Sequence, residues 1–189
     1  EFRKHLQTNL YLKDCLEKHV PVTEDLGITL FLVDAGTIGD WNLEGLPSDE
    51  LSVENGIMVT RSKKWPLMID PQSQGMGWIK SREAKNSIKS TQLTDKRFRN
   101  HLEDCMAFGN PMIIENVEEE IDPVLDPVLN KEIQRKGRNL IIQLADKECE
   151  YSETFAFFMC SKLANPHYSP EIFAQMTVIN FTVTMGGLE

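Results

Sequence analysis

The loop formed by residues 70–77 has the length of a phosphate-binding loop and follows a short apolar segment. Such a loop reads G-x-x-x-x-G-K-[ST]: glycines let the backbone approach, the lysine binds phosphate, and the hydroxyl ligates magnesium. In this register Asp70 replaces the first glycine and Gly75 is the second, while Met76 and Gly77 replace the lysine and the hydroxyl. A carboxylate then stands near where a polyphosphate would lie. We therefore predict a degenerate site that holds no nucleotide.

Other side chains that are capable of chemistry have simpler structural interpretations. The acids Glu118, Glu119, Glu120, Asp122 and Asp126 surround a predicted helix start, where they favour the helix dipole more readily than they support acid–base catalysis. His167 has no neighbouring nucleophile in the sequence, so we interpret it as a residue whose hydrogen bond orders a loop. We predict no catalytic residue and no metal site.

The basic and aromatic residues near the loop also have two interpretations each. Lys80, Arg82 and Lys85 are most simply a solvated stretch, and a phosphate-binding role for Lys80 is the alternative. The tryptophans are interpreted as core or interface anchors rather than as a stacking platform: Trp41, Trp65 and Trp78.

Composition excludes several classes of protein. The chain has 189 residues, 41% of them hydrophobic, which suffices for one sizeable core. Its net charge of −9 argues against a nucleic-acid partner, which needs a basic face. No apolar run approaches the roughly 18 residues that span a bilayer, so we expect no membrane partner. The first residues lack a signal peptide and predict a cut inside a larger protein, and the 4 cysteines form no C-x-x-C pair, which is typical of a reduced cytoplasmic protein.

Four apolar segments without polar alternation predict strands that are buried on both faces, as in a parallel sheet: residues 66–69, 111–114, 155–160 and 177–184. Helix signatures lie between them, over residues 95–108 with a stop at Gly109, and at the starts Asp122-Pro123 and Ser169-Pro170. Residues 139–144 and 148–151 predict an inserted β-hairpin. The fold class is therefore α/β, with a central parallel sheet flanked by helices.

We predict one domain with three parts. Residues 1–20 form a leading amphipathic helix, residues 21–64 a connecting segment, and residues 65–189 the α/β core. Within the connecting segment, residues 28–33 are apolar and fit either a strand or a helix. Residues 36–56 contain four glycines and five acids, and we interpret them as a long, ordered connection.

Four ordered motifs carry a resemblance to a known family: Trp41-x3-Gly45-Leu-Pro-x-Asp49-x2-Ser52-x-Glu54-Asn55, Trp65-Pro-Leu-Met-Ile-Asp-Pro-Gln72, Ile121-Asp-Pro-Val-Leu-Asp-Pro-Val-Leu129 and Lys162-Leu-Ala-Asn-Pro-His-Tyr168-x-Pro-Glu171. Together they resemble the large subdomain of the fifth AAA+ module of dynein heavy chains. The segments Asp146-Lys-Glu-Cys-Glu-Tyr151 and Asn180-Phe-Thr-Val-Thr184 look like the axonemal type. The resemblance implies a P-loop NTPase-like core, with the 155–160 strand between the 66–69 and 111–114 strands. It also implies a following small helical subdomain, which this chain lacks.

The resemblance further implies which site residues are altered. The strand that ends in Asp-Glu in active modules is followed here by Glu115 and Asn116, and asparagine cannot act as a general base. Ser161 and Lys162 lie near the sensor position. The last arginine of the chain is Arg138, so the usual arginine-finger position before the last strand holds none.

The function implied is that of a non-hydrolysing structural module in a six-module, microtubule-based motor ring, which relays conformational change. ATP and Mg would then bind at other modules. The implied partners are neighbouring modules, other dynein chains and, indirectly through the stalk, the microtubule, in the cytoskeleton of a cilium or flagellum. Two alternatives stay open: a module that retains weak ATP or ADP binding, and an acidic protein-interaction domain.

Overall fold

The computed structural model describes residues 10–21 and 28–182, and the chain divides into two compact units, Glu1–Ala35 and Gly36–Glu189. In the first unit the described residues form α1 (Leu12–Glu17) and α2 (Ile28–Leu32). The apolar segment at residues 28–33, which fits a strand or a helix by pattern, is therefore helical. Residues 1–9 of the predicted leading helix lie outside the described part of the chain.

The second unit contains both helices and strands. The helices are α3 (Ala35–Leu43), α4 (Glu50–Arg61), α5 (Gln74–Arg82), α6 (Phe98–Phe108), α7 (Asp126–Leu129) and α8 (Pro170–Gln175), with 3₁₀ turns at Ala84–Asn86 and Pro123–Leu125. The strands are β1 (Pro66–Ile69), β2 (Lys89–Gln92), β3 (Met112–Glu115), β4 (Gln134–Lys136), β5 (Asn139–Leu144), β6 (Lys147–Tyr151), β7 (Phe157–Ser161) and β8 (Thr177–Asn180). None of the described helices is both long enough and apolar enough to cross a membrane.

Five parallel strands form the central sheet, in the order β2-β3-β7-β1-β8. The predicted α/β fold with a parallel sheet flanked by helices is confirmed, as is the position of β7 between β1 and β3. The inner strands are buried because they are covered on both faces, as the unbroken apolar segments predicted. The predicted strand at residues 177–184 stops at Asn180, and residues 183 and 184 lie outside the described chain.

A second sheet is antiparallel and has the order β4-β5-β6. The predicted hairpin is confirmed as β5 and β6, and β4 adds a third strand that the sequence pattern did not predict. β6 packs against α6, and Lys147 forms an ion pair with Glu103 on that helix. This sheet buries Ile142 and Cys149 in the main core.

The interpretation of residues 36–56 as a connection is wrong, because α3 and α4 occupy most of them. α4 begins where the Asp49 carboxylate accepts a hydrogen bond from the backbone amide of Ser52 at 3.0 Å. Gly56 lies inside this helix, and a Cβ there would stand 2.9 Å from Leu46 and 3.0 Å from the Trp41 ring. This glycine therefore permits close packing and does not mark a turn.

The predicted helix boundaries and anchors are largely confirmed. Asp122 accepts from the Val124 amide at 2.9 Å, and Ser169 accepts from the Ile172 amide at 3.4 Å, so both residues cap helix starts. α6 ends at Gly109, whose φ is 74°. Two tryptophans are core residues, as predicted: Trp41 and Trp78 are buried and pack edge to face with ring centroids 5.6 Å apart.

Candidate functional site

The C-terminal ends of β1, β7 and β3 bring the predicted site residues together. The backbone amide of Asp70, just after β1, donates to the carbonyl of Ser161 in β7 at 2.8 Å. The amide of Val117, just after β3, donates to the carbonyl of Cys160 at 2.9 Å. Open α/β sheets bind their ligands at this edge. The structure therefore places the 70–77 loop, Glu115-Asn116 and Ser161-Lys162 around one point.

The side chain of Asp70 turns into the loop and binds the backbone amides that open α5. Its carboxylate is fully buried; one oxygen accepts from the Gln74 amide at 2.9 Å and the other accepts from the Met76 amide at 2.9 Å. Both amides belong to the first turn of α5, where backbone N–H groups have no partner within the helix. Amides at a helix N-terminus are the groups that bind phosphate in other proteins, and here the chain's own carboxylate engages two of them.

The backbone of the loop fits this internal contact. The amide of Ser73 donates to the Asp70 carbonyl at 3.1 Å, and Ser73 takes a left-handed conformation with φ 61°. The turn points the first amides of α5 back at the Asp70 carboxylate. The Ser73 side chain makes no capping hydrogen bond, so Asp70 performs that role for α5.

Gly75, the one motif position that is kept, has a packing role. A Cβ at this residue would lie 3.0 Å from the ring of Phe181, which is buried. The amide of Phe181 donates to the Ile69 carbonyl at 2.8 Å and so holds the ring beside the loop. A Cβ at position 75 would require this aromatic ring to shift by a few tenths of an ångström. The kept glycine is therefore explained by the core alone, with no need for a phosphate.

The positions of the lysine and the hydroxyl carry no suitable group. Met76 is half-buried and uncharged, and Gly77 is exposed with open space where a Cβ would stand. The structure describes no side chain from these two positions that could bind a phosphate or ligate magnesium. The residues that are present therefore do not fit a magnesium nucleotide.

Burial raises the pKa of the Asp70 carboxyl above its ordinary value, although hydrogen bonds from the Met76, Gln74, Gly75 and Ser73 amides act to lower it. The charged form loses more free energy of hydration on burial than it gains from these hydrogen bonds. The local amides still act to keep this buried carboxyl ionised. This leaves little capacity for a second anion at the same place.

Glu115, at the end of β3, is held by two side chains that the sequence pattern did not connect with it. Lys80 of α5 forms an ion pair with it at 2.5 Å, and the hydroxyl of Ser90 in β2 donates to the same carboxylate oxygen. The Lys80 and Glu115 side chains are 36% and 20% exposed. Burial acts to raise the pKa of Glu115, but the hydrogen bonds from Lys80 and Ser90 and the charges of Lys80 and Lys162 outweigh it and lower that pKa.

The interpretation of Lys80 and Arg82 as a solvated stretch is therefore wrong. Lys80 lies one turn beyond Met76 and contacts Glu115, and Arg82 places its guanidinium 5.8 Å from the ring centroids of both Trp41 and Trp78. Lys85 is exposed, as the pattern predicted. The difference arises because α5 packs against the sheet, so that its long basic side chains reach neighbouring groups.

Asn116 and the sensor-like pair sit beside this cluster. Asn116 is exposed and takes a left-handed backbone conformation with φ 54°, which asparagine tolerates better than most residues. Ser161 is fully buried and accepts from the Leu163 amide at 3.3 Å, while Lys162 is exposed. Cys160 precedes Ser161 in β7. Burial and, to a smaller extent, repulsion from the charges of Asp70 and Glu115 raise the pKa of its thiol to about 12. This thiol is protonated and unreactive.

Three of the acids between residues 118 and 126 make structural contacts. The Glu119 carboxylate accepts from the backbone amide of His167 at 2.7 Å, so the predicted loop-ordering hydrogen bond is made by the backbone of His167. Asp122 caps a helix start, as described above, and Asp126 accepts from the Gln175 side chain at 3.3 Å. Within residues 10–21 and 28–182, no three histidine, cysteine, aspartate or glutamate side chains are grouped so as to hold a metal.

Comparison with known proteins identifies relatives over the whole chain. A family model described as "ATP-binding dynein motor region" matches residues 39–189. The chain is 56% identical over 189 residues to "Dynein gamma chain, flagellar outer arm" of Chlamydomonas reinhardtii. It is 46% identical over 188 residues to "Dynein axonemal heavy chain 8" of Homo sapiens and 45% identical over 192 aligned residues to "Dynein alpha chain, flagellar outer arm" of Chlamydomonas reinhardtii. In each case the alignment covers 100% of this chain and 4% of the relative.

Proposed function

The chain belongs to the family of the ATP-binding dynein motor region, and on that premise we propose that it is the large subdomain of the fifth AAA+ module of an axonemal heavy chain. Two observations support this assignment. The four motifs resemble that module in their order along the chain, and the relatives reported above are flagellar outer-arm and axonemal chains. The parallel sheet with β7 between β1 and β3 is consistent with an AAA+ core.

The function we propose is structural: the module does not hydrolyse nucleotide and relays conformational change through the motor ring. The observation that carries the proposal is the Asp70 carboxylate, which accepts hydrogen bonds from the Gln74 and Met76 amides. A triphosphate would have to displace this carboxylate or approach it. Two unit charges about 4 Å apart repel by roughly 4 kcal/mol at an effective dielectric near 20, which corresponds to about a thousandfold in affinity.

The groups that would catalyse hydrolysis, a general base and an arginine finger, are also absent from their expected positions. Asn116 has no basic oxygen with which to activate water, and Glu115 is engaged by Lys80 and Ser90. The segment between α8 and β8 contains no arginine, because the last one in the chain is Arg138. An arginine finger contributes on the order of 10³–10⁵ in rate in related phosphoryl-transfer enzymes. Even a weakly bound nucleotide would therefore be turned over slowly by this module.

The remaining assignments follow from membership in such a ring. ATP and magnesium act at other modules. The direct partners are the neighbouring modules of the same heavy chain and other dynein chains, and the microtubule is reached only through the stalk. The location is the axoneme of a cilium or flagellum, as the names of the relatives suggest.

Photoaffinity labelling with an azido-ATP analogue, followed by peptide mapping, tests this function in the full chain that carries these residues. The peptides that contain the 70–77 loop and Asn116 should acquire no saturable label, while labelled peptides from elsewhere in the chain serve as an internal positive control. Saturable labelling of these peptides below about 10 μM would replace the structural assignment with the nucleotide-binding alternative.

A further inference from the structure

We propose that Lys80 is a positioning residue that acts as a built-in counter-ion, holding α5 and the 70–77 loop in one conformation without a bound nucleotide. This inference rests on the proposed function, because it explains how a module without ligand keeps its site ordered. It assigns to Lys80 a role that the loop motif does not contain.

A continuous series of contacts joins three strands of the sheet to one helix. The Asp70 carboxylate, after β1, binds the first turn of α5 through the Gln74 and Met76 amides. Further along the same helix, Lys80 binds Glu115 at the end of β3. Ser90 of β2 donates to the same Glu115 oxygen. The start of the helix is thus held by the Asp70 carboxylate. Its second turn is held by the ion pair that its own Lys80 forms with Glu115.

At the C-terminal edge of the parallel sheet, Lys80 balances the negative charge of Glu115. Asp70 follows β1 and Glu115 ends β3, and β7 pairs with both of these strands, so two acids lie at one edge of the sheet. Asp70 has only backbone amides as partners, and Lys162 is exposed to solvent. Lys80 supplies the partly desolvated cation that balances Glu115 directly. Removal of that cation leaves a half-buried acid without its ion-pair partner.

The two internal contacts match what a ligand would provide at such a site. An anion at the helix N-terminus and a cation beside the acid of β3 are the two charges that a metal nucleotide brings to a phosphate-binding loop. Here Asp70 supplies the first charge and Lys80 the second. The loop and helix are therefore expected to stay ordered in every state of the ring's ATP cycle.

Hydrogen exchange measured by mass spectrometry in the full chain tests the role of Lys80. In Lys80→Met and in Glu115→Gln, peptides covering residues 70–82 should exchange about fivefold faster than in the wild type, since each variant removes one partly exposed charged contact. The double variant should exchange no faster than the faster single variant, because both changes break the same pair. Lys80→Arg should retain protection. The exposed Lys85→Met is the matched control and should show no change.

The outcomes separate this inference from the proposed function. Unchanged exchange of residues 70–82 in Lys80→Met would overturn the role of Lys80. An equal rise in the exchange rate of the peptide that contains β7 would overturn it as well. The Lys80–Glu115 pair would then support the whole fold rather than the position of α5. ATP-dependent protection of the 70–77 loop in the wild type would instead contradict the proposed function.

Discussion

The carboxylate of Asp70 accepts a hydrogen bond from the backbone amide of Met76 at 2.9 Å, six residues along the chain. The same loop positions in a nucleotide-binding protein place a glycine and a lysine around a phosphate. The substitution therefore does more than remove a cation. It introduces an anion of the chain's own, and the following helix binds it.

Gly75 and Gly77 form a matched pair for testing what the loop glycines do. Gly75→Ala places a Cβ 3.0 Å from the buried Phe181 ring and should lower the free energy of unfolding by about 1–3 kcal/mol. Gly77→Ala meets no atom within 4 Å and should raise it by about 0.5–1 kcal/mol, because alanine is the better helix former. Urea denaturation of both variants measures the difference. Equal effects of the two substitutions would refute the packing role of Gly75.

The pH dependence of stability should reveal the ion pair of Glu115. The folded state lowers the pKa of this carboxyl from an ordinary 4.5, so its stabilising contribution is present above pH 4.5 and is lost as pH falls through the lowered pKa. Glu115→Gln should therefore destabilise the chain by about 1 kcal/mol at pH 7 and by less in acid. Denaturation curves across this pH range measure the loss. A destabilisation that grows on acidification would contradict the assignment.

The contribution of Asp70 to stability should change with pH in the opposite direction to that of Glu115. Burial raises its pKa from an ordinary 3.8, so the folded state holds the proton more tightly than the unfolded state. The associated stability is present below pH 3.8 and is lost as pH rises through the raised pKa. The unfolding free energy of the wild type minus that of Asp70→Asn should therefore decrease as pH rises from 3.8 through the raised pKa. An increase in this difference would show that the amide hydrogen bonds outweigh the cost of burial.

Much of the fold follows from sequence patterns, and the exceptions have physical causes. Apolar segments predicted four strands of the parallel sheet, because inner strands are covered on both faces. β2 was not predicted, since Lys89-Ser-Thr-Gln92 contains no apolar residue and the strand lies at the sheet edge, bonded only to β3. Gly56 suggested a connection, because a pattern cannot distinguish a glycine that permits packing from one that permits a turn.

The sequence shows which motif residues are absent from the candidate site, but it does not show which contacts form there instead. Motif comparison identifies the missing lysine, base and arginine from the chain itself. It does not indicate that the Asp70 carboxylate turns toward the Gln74 and Met76 amides, since that depends on the backbone of Ser73. Nor does it connect Lys80 with Glu115, which lies 35 residues away in the sequence. Both contacts form only when α5 and the sheet are assembled.

The most direct test of the claim that Asp70 occupies the anion site is the titration of a fluorescent ATP analogue into a fragment that carries this module alone, with both of its subdomains, as the wild type and as a variant with a restored motif. The restored variant carries Asp70→Gly, Met76→Lys and Gly77→Ser, which completes G-x-x-x-x-G-K-S around Gly75. We predict no saturable binding to the wild type below about 10 μM, and a gain of binding in the restored variant as the repulsion of about 4 kcal/mol is removed and the lysine contact is added. Saturable binding to the wild type in that range, abolished by mutating the 70–77 loop, would contradict the account.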